Sequence, residues 1–250
     1  MNSKAIGGFI NFELKLFLRN FITVFFLLVF PTMMLLIFGG IYGNAPSELF
    51  GGVGAINMFV PAYSGIVIAV TGLMNIPISL CEYREKGIFK RYKATPTRPG
   101  YLIVALLIIN TCMTIIGMAI LIIVGKIVFN IEITGNFPQC FLVFMISVFA
   151  IFAIGFFVGA IAPNMKASNS IAYLLYFPML FLSGATMPYE IFPKGLQNVA
   201  KILPMTYSVK AMKSVWNGGT LADNASSLII LLAIGLVFWI ASIKAFKWDT

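Results

Sequence analysis

The sequence predicts an all-α integral membrane protein. It is expected to form one domain of six transmembrane helices, with an N-terminal interfacial helix, a cytoplasmic helix after the second span and a short re-entrant helix pair before the last. Three observations carry that expectation. Of the 250 residues, 60% are hydrophobic and 10% charged, with a mean hydropathy of +0.98, whereas a soluble domain carries about 25% charged residues. Six apolar runs, 21–42, 55–80, 102–124, 137–162, 168–187 and 225–243, approach or exceed the roughly 20 residues that a spanning helix needs. The basic residues are also asymmetric. Twelve lie in the N-terminal segment, the loops 81–101 and 163–167 and the C-terminal tail, against five in the other loops. Lysine and arginine stay on the cytoplasmic side, so both termini are expected inside a plasma (inner) membrane. The net charge of +9 is thus a topology signal; no basic stripe interleaved with aromatics points to nucleic acid.

Residues 4–19, wound as a helix, put Lys4, Asn11, Lys15 and Arg19 on one side and Ile6, Phe9, Ile10, Leu16 and Phe17 on the other, the pattern of a helix lying in the membrane interface. Glu13 falls in the middle of the apolar side, where an unpaired carboxylate is costly. A pairing with Arg84 or Arg91 is the expectation. The first span follows a charged segment too long for a signal-peptide n-region and lacks a clear small-x-small cleavage site, so it is expected to be retained. Prolines 31, 61, 77 and 178 sit within spans, which lipid-embedded helices tolerate when neighbours re-satisfy the backbone.

The second span carries a polar row, Asn57, Ser64, Thr71, Asn75 and Ser79, and the fifth carries another, Asn169, Tyr173, Tyr176 and Ser183. Hydrocarbon offers such groups no partners, so the rows are expected to face protein or water. Packing within one subunit and lining of a pathway both satisfy that requirement.

Between spans two and three lies EYREKGIFKRYKATPTRP, residues 82–99, with eight of the chain's 25 charged side chains. As a helix it places Ile88, Phe89 and Tyr92 on one face and pairs Glu82 with Lys86 at i, i+4 spacing; Thr95-Pro96 and Arg98-Pro99 end it. Glu85, Lys90 and Arg91 add charge to the same segment. A short amphipathic helix with aromatic knobs and a basic face can anchor to anionic lipid or dock on a partner.

Residues 188–217 form the long loop before the last span. Leu196, Val199, Ala200 and Leu203 recur at helical spacing, and after Pro204 so do Met205, Val209, Met212 and Trp216, with Lys210 and Lys213 on another face. Two such helices are too short to span, so they lie on or dip into the outer leaflet.

Several function classes recede. No span has an ionisable residue near its middle, which ion-driven transporters use to bind the coupling ion. Histidine is absent and eight acids are scattered, too sparse a set for a membrane-embedded enzyme working through metal or acid–base chemistry. Cys81, Cys112 and Cys140 fit neither a metal site nor a disulfide framework. The nearest approach to a P-loop, VGKI at 124–127, has Ile120 and Ile127 where glycine and Ser/Thr belong. No cofactor is therefore expected on this chain, and uphill transport would draw its energy from another subunit.

Two stretches carry a family resemblance. The run EYREKGIFKRYKATP after the second span resembles the loop of type-2 ABC transporter permeases, the membrane subunits of ATP-driven exporters. FPMLFLSGATMPYEIFPKGLQNVAKILPMTYSVKAM, 177–212, is similar to that family's closing signature, S-G-x-x-x-P, a proline-rich turn, a short helix and P-x-T-Y. The resemblance covers essentially the whole chain. It implies a homodimer or heterodimer of permeases bound to two cassette subunits that hold ATP and Mg, with 82–95 as the coupling helix and no catalysis by this chain. Glu82, Arg84, Glu85, Lys86, Ile88, Phe89, Arg91, Tyr92 and Glu13 are then the coupling candidates. Asn57, Ser64, Thr71, Asn75, Asn169, Tyr173, Tyr176 and Ser183 are the pathway candidates, and Pro188, Pro193, Pro204 and Tyr207 those of an outer gate. The implied cargo is a hydrophobic or amphiphilic drug, antimicrobial peptide or lipid. A polysaccharide exporter, or a channel or scaffold without ATP coupling, is the alternative.

Overall fold

The computed structural model describes residues 3–46, 52–93 and 100–246. The described residues form helices α1 (Ser3–Arg19), α2 (Phe21–Tyr42), α3 (Ala55–Glu85), α4 (Ile88–Lys93), α5 (Gly100–Phe129), α6 (Phe137–Ile161), α7 (Met165–Leu182), α8 (Lys194–Ala200), α9 (Pro204–Trp216) and α10 (Ala225–Ala245). Among the described residues the β-structure is a lone bridge, Pro46–Gly54.

Five of these helices, α2, α3, α5, α6 and α10, are long and apolar enough to cross a membrane. The fifth expected span, 168–187, is not among these five. Its helix α7 has 18 residues and ends at Leu182, where Gly184 at φ +83 turns the chain. It opens on Lys166, Ser168 and Asn169, which lower its hydropathy. Its course is nonetheless clear. Met165 at its start meets Glu85, the last residue of α3, and Ser183 just past its end lies with Met58 near the start of α3. Helix α7 thus runs antiparallel to α3 over nearly its whole length.

Helix α3 is the axis of the bundle: 89% of its most apolar window is buried, against 22% in α2 and 28% in α10. Two wide π-type turns interrupt the spans, Phe25–Val29 in α2 and Val70–Asn75 in α3. Each stands just before a proline, Pro31 and Pro77. A proline ring clashes with the carbonyl four residues back and leaves it without an N–H partner; one extra residue in the turn accommodates both. Helices α3 and α6 cross at backbone contact, because Gly155 lies directly against the Gly72 carbonyl oxygen. Parallel to α6 runs α10, with Trp239 stacked between Phe149 and Phe156 and Gly235 beneath the Phe149 ring.

The predicted helix at 82–99 is also corrected. Residues 82–85 are the last turn of α3, Gly87 at φ +63 breaks the helix, and α4 is a separate single turn and a half. The glycine adopts a left-handed conformation that a side chain disfavours. The two prolines expected to end the segment lie outside the described residues.

Candidate functional site

The last turn of α3 gathers most of the charged chemistry. Arg84 donates to the carbonyls of Gly159 (2.5 Å), Ala160 (3.1 Å) and Ala162 (2.7 Å), the orphan acceptors at the C-terminus of α6. A guanidinium suits that place, since its planar fork spans several acceptors and its charge complements the helix dipole. One residue on, Glu85 accepts from the backbone N–H of Met165 at 2.6 Å, the negative group that a helix N-terminus favours. Arg84 and Glu85, expected to face a partner, thus staple α6 and α7 to the end of α3. Glu82 and Lys86 form the expected i, i+4 ion pair in solvent, where such a pair contributes little.

Glu13 is 3% exposed, as its place on the apolar side of α1 predicted. Its partner is neither Arg84 nor Arg91 but the hydroxyl of Tyr83, 2.7 Å from each carboxylate oxygen. Burial pushes the Glu13 carboxyl up to about 7; the Tyr83 hydrogen bond pulls it back and the charge on Glu82 raises it further. A phenol has one proton to give, so a neutral Glu13 completes the pair by donating back to the tyrosine oxygen. Tyr83 also meets Phe89 of α4 edge-on, with centroids 6.0 Å apart, and Phe89 meets Phe246 beyond α10 at 5.7 Å. Phe89 is fully buried, so this knob grips its own chain, a second correction. Ile88 is half-buried, and Lys86, Lys90 and Arg91 are exposed; the Tyr92 side chain lies outside the described residues.

The two polar rows separate. Thr71 and Thr114 share a 2.7 Å hydrogen bond, Asn75 donates to Asn110 at 2.8 Å, and Thr23 reaches Asn75 at 3.4 Å. Ser64 donates to the Pro61 carbonyl. All four α2 and α3 residues are buried and face helices of their own chain, so Ser64, Thr71 and Asn75 do not share an open cavity with the α7 row. Asn57 is half-buried, as is Asn169 on α7. Tyr176 is buried, whereas Tyr173 is 37% exposed and continues through Leu174, Phe177 and Phe181 as an open apolar face, its ring stacked on Phe177. Sequence reasoning missed Asn110 and Thr114, although two polar residues four apart in an apolar span are the mark of a buried pairing row.

The segment before α10 is built by its prolines. Pro188 and Pro193 precede a short 3₁₀ turn and α8, and Pro204 occupies the first turn of α9, where its missing N–H costs nothing. Tyr207 donates to the Lys201 carbonyl at 2.7 Å, Thr206 to Ala200 at 2.6 Å and Tyr189 to Gln197 at 3.1 Å. Met205, Val209, Met212 and Trp216 are buried, the first two against Gly65 of α3, so α9 is seated in the bundle. Ser183, at the end of α7, is buried with no described partner for its hydroxyl.

Similarity to known proteins agrees with this architecture. The chain is 26% identical over 206 residues to the inner membrane transport permease YhhJ of Escherichia coli (strain K12), covering 82% of this chain and 53% of that one. It is 25% identical over 192 residues to the putative transport permease ycf38 of Porphyra purpurea, covering 75% and 65%. To the daunorubicin resistance ABC transporter permease protein DrrB1 of Streptomyces coeruleorubidus it is 22% identical over 242 residues, covering 94% and 79%. The chain therefore spans between about half and two thirds of the length of the first two relatives. The family model described as ABC-2 type transporter matches residues 6–217, and with that the chain belongs to the ABC-2 type transporter family, as a multi-pass membrane protein.

Proposed function

We propose that this chain is the membrane subunit of an ATP-driven exporter, works as a pair with a second permease copy or paralogue, and takes its energy from a separate cassette subunit that binds ATP and Mg. The observation that carries the reading is the construction around Tyr83. Arg84, Glu85, Tyr83 and Phe89 tie α6, α7, α1 and α4 to one turn of α3, while Lys86, Lys90 and Arg91 stay exposed. A push on α4 therefore reaches several helices at once, which is what a coupling site needs. With α7 counted as a crossing, on the strength of its course along α3, the chain spans six times and both termini are cytoplasmic. Residues 188–217 then lie at the outer end as a re-entrant gate, with Pro188, Pro193, Pro204 and Tyr207 shaping it.

Hydrophobic or amphiphilic cargo fits the aromatic face of α7, and the daunorubicin resistance in the name of DrrB1 supports the same class. The test is co-expression with the cassette partner in the native membrane. The isolated chain should not hydrolyse ATP, the complex should, and reversing Lys86, Lys90 and Arg91 to glutamate should cut capture of the cassette at least tenfold with membrane insertion intact. ATP hydrolysis by the isolated chain, or undiminished capture, overturns the proposal.

A further inference from the structure

Helices α5 and α6 leave an apolar groove of about 250 Å³ between them, with Met212 and Trp216 of α9 as its floor and Met118, Ile122 and Phe144 along its walls. Ile115, Ile123 and Phe141 also line it and are themselves exposed, so it opens sideways from the bundle, where a membrane protein meets lipid. Its depth can be read from α3. Thr71 bonds to Thr114 and Gly125 lies beside Val60, so α5 runs antiparallel to α3 and Ile115 stands near the middle of that span. Lys126 follows Ile115 by eleven residues, roughly 16 Å at 1.5 Å per residue, half of a hydrocarbon core of about 30 Å. The groove has the reach of one leaflet.

Toward the C-terminal end of α5 the groove meets a second recess through Ile122, which lines both. That recess, of about 430 Å³, is polar, with Lys126, Glu132 and Thr134 among its lining residues. The loop that carries Glu132 is held at both ends. Asn130 turns the chain back at φ +50, the Ile131 N–H donates to the Gly125 carbonyl at 3.3 Å and the Ile131 side chain is buried. On the other side the Gly135 N–H and the Thr134 hydroxyl both reach the Trp216 carbonyl, at 2.9 and 3.4 Å. Lys126 and Glu132 thus line one recess with opposite charges, yet neither side chain has a hydrogen-bond or ion-pair partner among the described residues. A ligand of one sign would satisfy one of them and be repelled by the other. A zwitterion satisfies both, and a zwitterion with a long apolar tail also fills the groove. A primary ammonium suits Glu132 better than a quaternary one, because only the first brings N–H donors for charge-assisted hydrogen bonds.

We propose that groove and recess together bind one phospholipid with a phosphoethanolamine headgroup, its phosphate on Lys126, its ammonium on Glu132 and one acyl chain along Ile122, Met118 and Phe144 toward mid-membrane. The inference requires only that the chain sits in a membrane; its failure leaves the ATP-driven reading standing, and the test contains no ATP.

The purified full chain in a neutral detergent is titrated with short-chain phosphatidylethanolamine, phosphatidylcholine and phosphatidylglycerol, with binding followed by native mass spectrometry. Phosphatidylethanolamine should bind about tenfold more tightly than either of the others, the worth of one charged hydrogen bond. Glu132→Gln should erase its lead over phosphatidylcholine, and Lys126→Gln should weaken phosphatidylethanolamine and phosphatidylglycerol alike. Both residues are exposed, so neither change disturbs the core. Ala119 is exposed on the groove wall and can grow without repacking, so Ala119→Phe should block the acyl chain and abolish the preference with the fold intact. Lys194→Gln, at another exposed site, should change nothing. Equal binding of the three lipids, tightest binding of phosphatidylglycerol, or a preference that survives Glu132→Gln or Ala119→Phe each overturns the proposal.

Discussion

Glu13 is an acid whose position makes its protonation consequential. A carboxyl held at about 7 in the folded chain, against an ordinary value near 4.5, is bound more favourably when neutral. The folded state then holds the proton more tightly than the unfolded one, so stability falls as pH rises from about 4.5 to 7 and levels off above. The size is on the order of 3 kcal/mol for a shift of that extent. The protection of residues 7–19 against hydrogen exchange, taken relative to the intrinsic rate at each pH, should therefore fall between pH 5 and pH 8 in the native chain and hold constant in Glu13→Gln, which keeps a partner for Tyr83 without the charge. Tyr83→Phe should loosen α1 at every pH by about 1–3 kcal/mol, through the buried group it leaves unpaired. An identical pH slope in Glu13→Gln would mean that another group sets the docking of α1. That Glu13 is buried was legible in the sequence, because helical spacing places it among Phe9, Ile10 and Phe17. Its partner was not. Which helix covers α1 is a tertiary fact, and a tyrosine hydroxyl carries no charge to betray it beside two arginines.

At the scale of elements, the close crossing of α3 and α6 rests on the absence of a side chain. A methyl group at Gly155 falls onto the Gly72 carbonyl oxygen and touches Pro77, so the helices must part to admit it. Gly155→Ala should cost about 1–3 kcal/mol and Gly155→Leu should prevent assembly of the bundle. Gly40, in α2 with nothing within 4 Å, is the control. There alanine should be neutral or stabilise by up to about 1 kcal/mol through helix propensity. Thermal unfolding in detergent separates the two, and equal effects at both sites would mean that the helices do not touch. The spans themselves were legible, since long apolar runs and their flanking charges need no tertiary knowledge. The break at Gly87 was less so. The residues on either side keep a helical pattern, and a lone glycine declares a stop only where the chain must turn. The same limit explains Arg84 and Glu85: a basic segment looks like a docking face until the ends of α6 and α7 are known to lie beside it.

At the scale of the molecule, one helix is out of keeping with lipid. Helix α7 carries Lys166, Asn169 and Tyr173, yet its flank of Tyr173, Leu174, Phe177 and Phe181 is open on this chain. Thr71 and Asn75 of the α3 row, by contrast, are spent on Thr114, Asn110 and Thr23. Polar groups on a spanning helix settle against protein or water, so under the proposed pairing the second permease copy covers α7 and the pathway runs along it. In a background lacking Cys81, Cys112 and Cys140, Tyr173→Cys and Phe177→Cys should form cross-linked pairs of chains on oxidation in native membranes. Ile37→Cys and Ile41→Cys, on the exposed face of α2, should not. Within the same set, Tyr173→Cys should react with a small water-soluble thiol reagent and be protected by transported cargo, while Ser64→Cys and Thr71→Cys stay unreactive. Cross-linking through α2 with α7 silent would place the pair's interface on the opposite side of the bundle, and with it the pathway. Reactivity at position 71 would instead mean that the hydrogen bond to Thr114 opens during the transport cycle, making the α3 row part of the moving wall after all.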